Sequence, residues 1–151
     1  MAANSAIDVF LEGCAPHLLE PPVNVLRLSL HPDGMAPRIE NLEEWRGHLM
    51  ERLRHQVLVT SDAGLRELAD ELETYGPAPA GRSVRGATQA AAYAIMVPLR
   101  VRAGDHSLSF FSTTTVFGAP LDVTVSELAI EAFYPADAAT REWFGAVSPS
   151  C

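Results

Sequence analysis

Cysteine is scarce in this chain of 151 residues: there are two, Cys14 and Cys151. Two isolated thiols make no disulfide framework and suit a reducing compartment, the second lying at the fraying end of the chain. No apolar run reaches the ~18–20 residues that a membrane span needs. No basic segment followed by a long apolar core marks a signal peptide, so a cytoplasmic protein is expected. Positive charge is also short. The formal net charge is −8 and the arginines are scattered, whereas neutralising phosphates requires a concentrated basic face, so the chain is a poor nucleic-acid binder on its own. No glycine-rich phosphate loop follows a strand, which leaves a nucleotide fold unsupported. The five histidines never pair at i, i+4 on one face, which argues against zinc. What is present suits one soluble domain: 48% hydrophobic and 20% charged residues are too apolar for disorder, in a chain long enough for one core.

At the N-terminus, Ile7, Phe10 and Leu11 share a face and predict a helix over Ala2 to Glu12, capped by Asn4 or Ser5 and stopped by Gly13. Cys14 to Glu20 reads as a connector, and His17 in it as an ordinary loop histidine. The chain is organised around Val23 to Trp45. Val23, Leu26 and Leu30 fit a helix, while Leu26, Leu28 and Leu30 also fit a strand; the leading Pro21-Pro22 favours the helix. His31-Pro32-Asp33-Gly34 is a turn. Then Ile39, Leu42, Trp45, Leu49, Leu53 and Val57 step through a long amphipathic helix. Asn41 with Glu44 resembles a capping box. Glu40, Glu43 and Glu44 suit the positive end of the helix dipole, and Arg52, Arg54 and His55 lie towards the other. Thr60-Ser61-Asp62 breaks this helix. Asp62 caps a second with Leu65, Leu68 and Leu72 as its buried stripe, ending near Tyr75-Gly76, and the two form a helical hairpin. Gly76 to Gln89 reads as a mobile loop.

The β part follows. Ile95, Val97, Leu99 and Val101 alternate with Met96, Pro98, Arg100 and Arg102, and Ser107 to Phe117 follows Gly104-Asp105. A two-residue turn at Gly104-Asp105 sets Ala103 against His106, Val101 against Leu108 and Leu99 against Phe110. That register also gathers the apolar residues on one face, so turn chemistry and pattern agree. Continued inward, it sets Val97 against Ser112 and Ile95 against Thr114. Pro98 lacks an N–H, which predicts an edge strand or a bulge. Gly118 to Val123 is a loop. Thr124 to Tyr134 is a third strand, with Leu128, Ile130, Ala132 and Tyr134 on one face, stopped by Pro135. Asp137 caps a last helix carrying Trp143 and Phe144.

Catalytic chemistry finds little support. Asp105, His106 and Ser107 are consecutive, and alternation sends strand neighbours to opposite faces, so they read as a polar hairpin tip. At Ser112 to Thr115 hydroxyls interrupt the apolar face. Threonine is simply a good strand former; the functional alternative is a pocket with apolar walls and a few polar groups that orient a ligand. Composition and spacing reach no further than a soluble α+β domain.

A resemblance goes further. The strings Asn24-Val-Leu-Arg-Leu-Ser-Leu-His-Pro-Asp-Gly34, Pro37-Arg-Ile-Glu-Asn-Leu-Glu-Glu-Trp45, Leu108-Ser-Phe-Phe-Ser-Thr-Thr-Thr-Val-Phe-Gly118 and Leu121-Asp-Val-Thr-Val-Ser-Glu-Leu-Ala-Ile-Glu131 resemble the ligand-binding domain of MmyB-like transcription regulators, in the right order and over nearly the whole chain. The resemblance implies a PAS-like α+β fold, an antiparallel sheet with helices over one face, in a domain over 1–145 with a tail at 146–151. It implies a non-enzymatic sensor for a small apolar ligand, with a fatty acid the leading idea, and no cofactor. It further implies control of a helix-turn-helix unit of the XRE type. That unit and the first strands of the sheet are expected to be missing, which would leave the strand with Leu128 and Ile130 an open edge. Homodimerisation or pairing with a full-length regulator is then expected, in the latter case as an interaction module without ligand. From the apolar pattern the candidate lining is Trp45 at one end, Leu49, Leu53, Val97, Leu99, Phe110, Ser112, Thr114 and Ile130.

Overall fold

The computed structural model describes residues 7–76, 97–117 and 128–147, with the backbone alone at 114–117, 128–131 and 147. Helices α1 (Asp8–Leu11), α2 (Val25–Leu30), α3 (Leu42–Thr60) and α4 (Ala63–Thr74) precede strands β1 (Leu99–Ala103), β2 (His106–Phe117) and β3 (Leu128–Pro135), and α5 (Ala138–Val147) follows. The strands form an antiparallel sheet in the order β1-β2-β3. This is the expected α+β architecture. The expected loop at Gly76 to Gln89, the strand starts at Ile95 and at 124–127, the loop at Gly118 to Val123 and the caps Asn4 and Ser5 lie outside the described residues, apart from Gly76.

The hairpin has the register that its turn and apolar pattern predict, with Leu99 against Phe110, Val101 against Leu108 and Ala103 against His106. Gly104 supplies the positive φ of 56° at the first turn position. The ladder does not extend to Val97. Pro98 has no N–H to give, its carbonyl accepts from Asn41 Nδ2 at 2.8 Å, and among the described residues β1 is the end strand of the sheet, its outer side met by an isolated bridge from Ile39 to Val101. Ser112 and Thr114 pair across to Phe133 and Glu131 on β3.

Local chemistry explains the helices. Gly13, at φ 72°, ends α1, and Arg38 closes its carbonyl end by donating to the Val9 and Phe10 oxygens at 2.8 and 2.6 Å. The helix alternative holds at α2, but it starts at Val25, beyond the prolines, because Asn24 Oδ1 accepts from the Arg27 N–H at 3.0 Å. His31 is extended, as a residue before proline must be. Ser61 in the left-handed region ends α3, and Asp62 Oδ1 caps α4 through the Leu65 N–H at 3.0 Å. Arg46 donates to the Leu72 and Glu73 carbonyls at the far end of α4, at 2.8 and 3.1 Å.

The last helix is docked by one buried hydroxyl. Asp137 Oδ1 accepts the Thr140 N–H at 2.7 Å, and Thr140 Oγ1 accepts the Ser109 N–H at 2.9 Å. Ala136 N–H meanwhile donates to the Ser109 oxygen at 2.8 Å. Where β3 turns away, a side chain thus takes over the acceptor role of the strand. The exposed Asp137 carboxyl is held below its ordinary range, first by the Thr140 backbone N–H.

The helices cover one sheet face. Trp45, Leu49, Met50 and Leu53 of α3, Leu68 and Leu72 of α4, and Leu99, Val101, Leu108 and Phe110 of the hairpin are buried in one cluster. Phe10 packs its ring on Phe110 and Phe133, each at 4.9 Å, and Phe144 packs on Phe110 at 5.6 Å.

The α2 turn closes on itself through the Met35 N–H, which donates to the Leu28 oxygen at 2.9 Å. A Cβ on Gly34 would press into that carbonyl, and backbone cannot step aside as a flexible side chain can. Gly34→Ala is expected to cost about 1–3 kcal/mol, read as a lower urea midpoint at unchanged m-value.

Candidate functional site

Six of the residues expected to line a pocket are packed together. Trp45, Leu49, Leu53, Val97, Leu99 and Phe110 belong to the buried cluster between α3 and the inner sheet face, none more than 6% exposed. Ser112 is half-buried opposite Phe133 at the end of this face away from the hairpin turn, and strand alternation puts Thr114 on the same face. The register sets Ile130 apart. It pairs with Thr115, on the face that carries Phe111, Thr113 and Tyr134, and Tyr134 is 56% exposed. The spacing within β3 alone could not reveal which of its faces meets Phe110.

Trp45 has its polar edge satisfied inside the core. Its Nε1–H donates to Ser29 Oγ at 2.9 Å, with both side chains buried. His48 stacks beside it with ring centroids 5.9 Å apart. Burial, and secondarily the charge of Arg52, holds the His48 pKa below its ordinary value.

The joint between helices and sheet lies at the start of α3. Asn41 was expected to act as a capping box. Instead its side chain makes no bond to the helix backbone. It donates to Glu44 Oε2 at 3.0 Å and to the Pro98 oxygen at 2.8 Å, and accepts the Arg100 N–H at 3.0 Å. The Glu40 N–H donates to the Arg100 oxygen at 2.9 Å, and Ser107 Oγ donates to Glu40 Oε2 at 2.6 Å. Ser107 is thereby turned to Glu40 while the His106 ring lies 6.4 Å from Trp143, so the hairpin tip is polar without being a nucleophile–base pair.

A second feature was not legible in the spacing. Between α2, α4 and the Pro16–Leu18 turn lies an open pocket of about 200 Å³, walled by His17, Glu20, Arg27, His31, Glu71 and Tyr75 among others. Arg27 donates to both carboxylate oxygens of Glu71, at 2.6 to 3.0 Å, and the Tyr75 hydroxyl donates to the same carboxylate. Glu71 is accordingly held below the usual carboxylate range, by Arg27 first and Tyr75 second, while burial and then Glu71 push the Tyr75 hydroxyl up to about 12. His17, expected to be a plain loop residue, faces His31 with ring centroids 5.6 Å apart.

The Trp45–Ser29 bond makes a measurable claim. Ser29→Ala leaves a buried N–H unpaired and is expected to cost about 1–3 kcal/mol, but much less in a Trp45→Phe background. Urea unfolding of the four proteins reads the difference; equal costs in both backgrounds would show that the hydroxyl serves another partner.

Compared with known families, residues 1–146 match a family described as the MmyB-like transcription regulator ligand binding domain. None of the curated proteins and none of the solved structures compared gives a significant match.

Proposed function

The chain belongs to the MmyB-like transcription regulator ligand binding domain family, and from that premise we propose that it is a non-enzymatic sensor of a fatty acid. Ligand state would pass to a DNA-binding helix-turn-helix unit of the XRE type in the cytoplasm. The observation that supports this is how α3 meets the sheet. Polar bonds gather at Glu40 and Asn41, whereas further along Trp45, Leu49 and Leu53 join Leu99 and Phe110 through apolar packing. A layer fastened at one end can part at the other.

Magnitudes favour an acyl chain over a smaller apolar molecule. The lining is almost fully buried, so a ligand has to separate packed surfaces. Each buried CH₂ contributes about 0.8 kcal/mol, so roughly ten methylenes supply on the order of 8 kcal/mol, whereas a ligand of a few carbons supplies too little to offset the opening. Ser112, half-buried at the rim, and Thr114 beside it on the strand would take the carboxylate head group. Parting the layers shifts the population of α3–α4 orientations, which is the signal delivered.

A second reading rests on β3, which among the described residues pairs on one side only. Its other edge could add a strand from a second copy or from a full-length regulator, with no ligand involved.

Denaturing mass spectrometry of lipid extracted from the purified protein separates the two. The sensor reading expects a bound acyl chain. It further expects Ser112→Val to weaken displacement of a fluorescent fatty acid by about tenfold, the worth of a hydrogen bond to a charged group. An empty preparation that co-purifies with a regulator, and ignores added fatty acid, would favour the interaction module.

A further inference from the structure

The Pro16–Leu18 turn and the turn after α2 are distant in sequence and stitched together in space. The Ala15 N–H donates to the Asp33 oxygen at 2.8 Å. This bond brings His17 of the first turn against His31 and Asp33 of the second, and one ligand atom from each of the three lies within 4.8 Å of the others. We propose that His17, His31 and Asp33 form a binding site for a divalent transition-metal ion.

Several observations converge on it. The donor set is two imidazoles and one carboxylate, which suits zinc, cobalt or nickel and not the all-oxygen shell of magnesium or calcium. On a tetrahedral ion with bonds of about 2.0–2.1 Å, neighbouring donor atoms sit about 3.3 Å apart. The three side chains must therefore close from within 4.8 Å by up to about 1.5 Å, and His17 and Asp33 are exposed enough to turn. His31 is the fixed member. Its ring is held edge-on by Tyr75 at 4.7 Å, and its Nδ1 accepts the Asp33 N–H at 3.0 Å. That bond points Nδ1 toward Asp33, whose Oδ2 lies 3.9 Å away. A cation seated there takes over the Nδ1 lone pair from a neutral N–H and gains the carboxylate.

The neighbourhood leaves room for the remaining ligands. His17 and His31 both wall the open pocket of about 200 Å³, and Glu20 lies on the same wall. Water or that carboxylate can complete the shell. The chain's net charge of −8 also favours a cation over an anion at an exposed site. Sequence spacing hides the site because no two of its histidines share a helix face. An ion there would clasp the N-terminal turns to α2, apart from the apolar layer under α3, so this proposal does not depend on a fatty acid being bound.

Titration of the metal-free protein with Zn²⁺ in a calorimeter, repeated with Co²⁺ and followed by visible absorption, tests it. One ion per chain is expected, with the intense bands of tetrahedral Co²⁺. His17→Gln, at an exposed position, should weaken binding by more than about tenfold with the far-UV spectrum unchanged, and Asp33→Asn should weaken it as well. Cys14→Ser should bind as the unaltered chain does. Absence of stoichiometric binding of either ion would overturn the proposal. So would full affinity in His17→Gln, or loss of binding in Cys14→Ser, since the ion would then sit elsewhere.

Discussion

One carboxamide fixes how the two layers of this domain meet. Asn41 donates to the Pro98 carbonyl and to Glu44, and accepts the Arg100 N–H. Both halves of an amide are needed: a carboxylate could not donate, and a serine hydroxyl could not reach two backbone groups and a side chain. The bond to Pro98 occupies the carbonyl of the residue at which the β1–β2 ladder has already ended. The Asn41 carbonyl also accepts the Trp45 N–H at 2.9 Å, so the same residue sets the first turn of α3. The direction of Trp45 towards Ser29, and the position of Leu49 and Leu53 over the hairpin, follow from that start.

The rest of the packing is arranged so that this joint carries the polar load between α3 and the sheet. Trp45 brings its N–H to a hydroxyl on α2, and the Arg27–Glu71–Tyr75 network ties α2 to α4 at its own edge. Such a solvent-facing ion pair is worth little by itself, but with three arginine bonds and a tyrosine it fixes geometry. Helices α2, α3 and α4 are thus tied to one another, and beyond Asn41 the side chains of Trp45, Leu49 and Leu53 of α3 meet Leu99 and Phe110 of the sheet through apolar packing. Apolar contact tolerates an inserted chain, because a methylene replaces a methylene; a hydrogen-bonded seam would not.

Local chemistry was legible in the sequence where one short segment decides the outcome. Gly104-Asp105 fixed the hairpin register, and Asp62 and Asp137 marked the starts of α4 and α5, because turn and cap preferences act within a few residues. The limits are equally physical. Asn41 followed by Glu44 has the spacing of a local cap, yet its strongest partners are the backbone of residues 98 and 100, which no local pattern encodes. Ile130 shares a strand face with Ala132 and Tyr134 as expected, but which face of β3 meets the core depends on pairing with β2. His17 and His31 meet where Ala15 bonds Asp33, a contact between residues distant in the sequence. Of the nine residues expected to line a pocket, Trp45, Leu49, Leu53, Leu99 and Phe110 share the buried cluster as their periodicity implies, whereas the places of Ser112 and Thr114 depend on pairing with β3.

The central claim is that α3 opens from the sheet about the Asn41 joint when an acyl chain enters. Spin-label distances measure it directly in a background with both cysteines replaced by serine. One pair of labels, at Glu43 and Arg102, spans the joint; a second, at Gln56 and Thr113, spans the far end, and all four positions are exposed. Adding a fatty acid is predicted to lengthen the second distance and leave the first unchanged. Unchanged distances in both pairs with ligand bound, or equal lengthening in both, would contradict a layer that opens about a fixed joint.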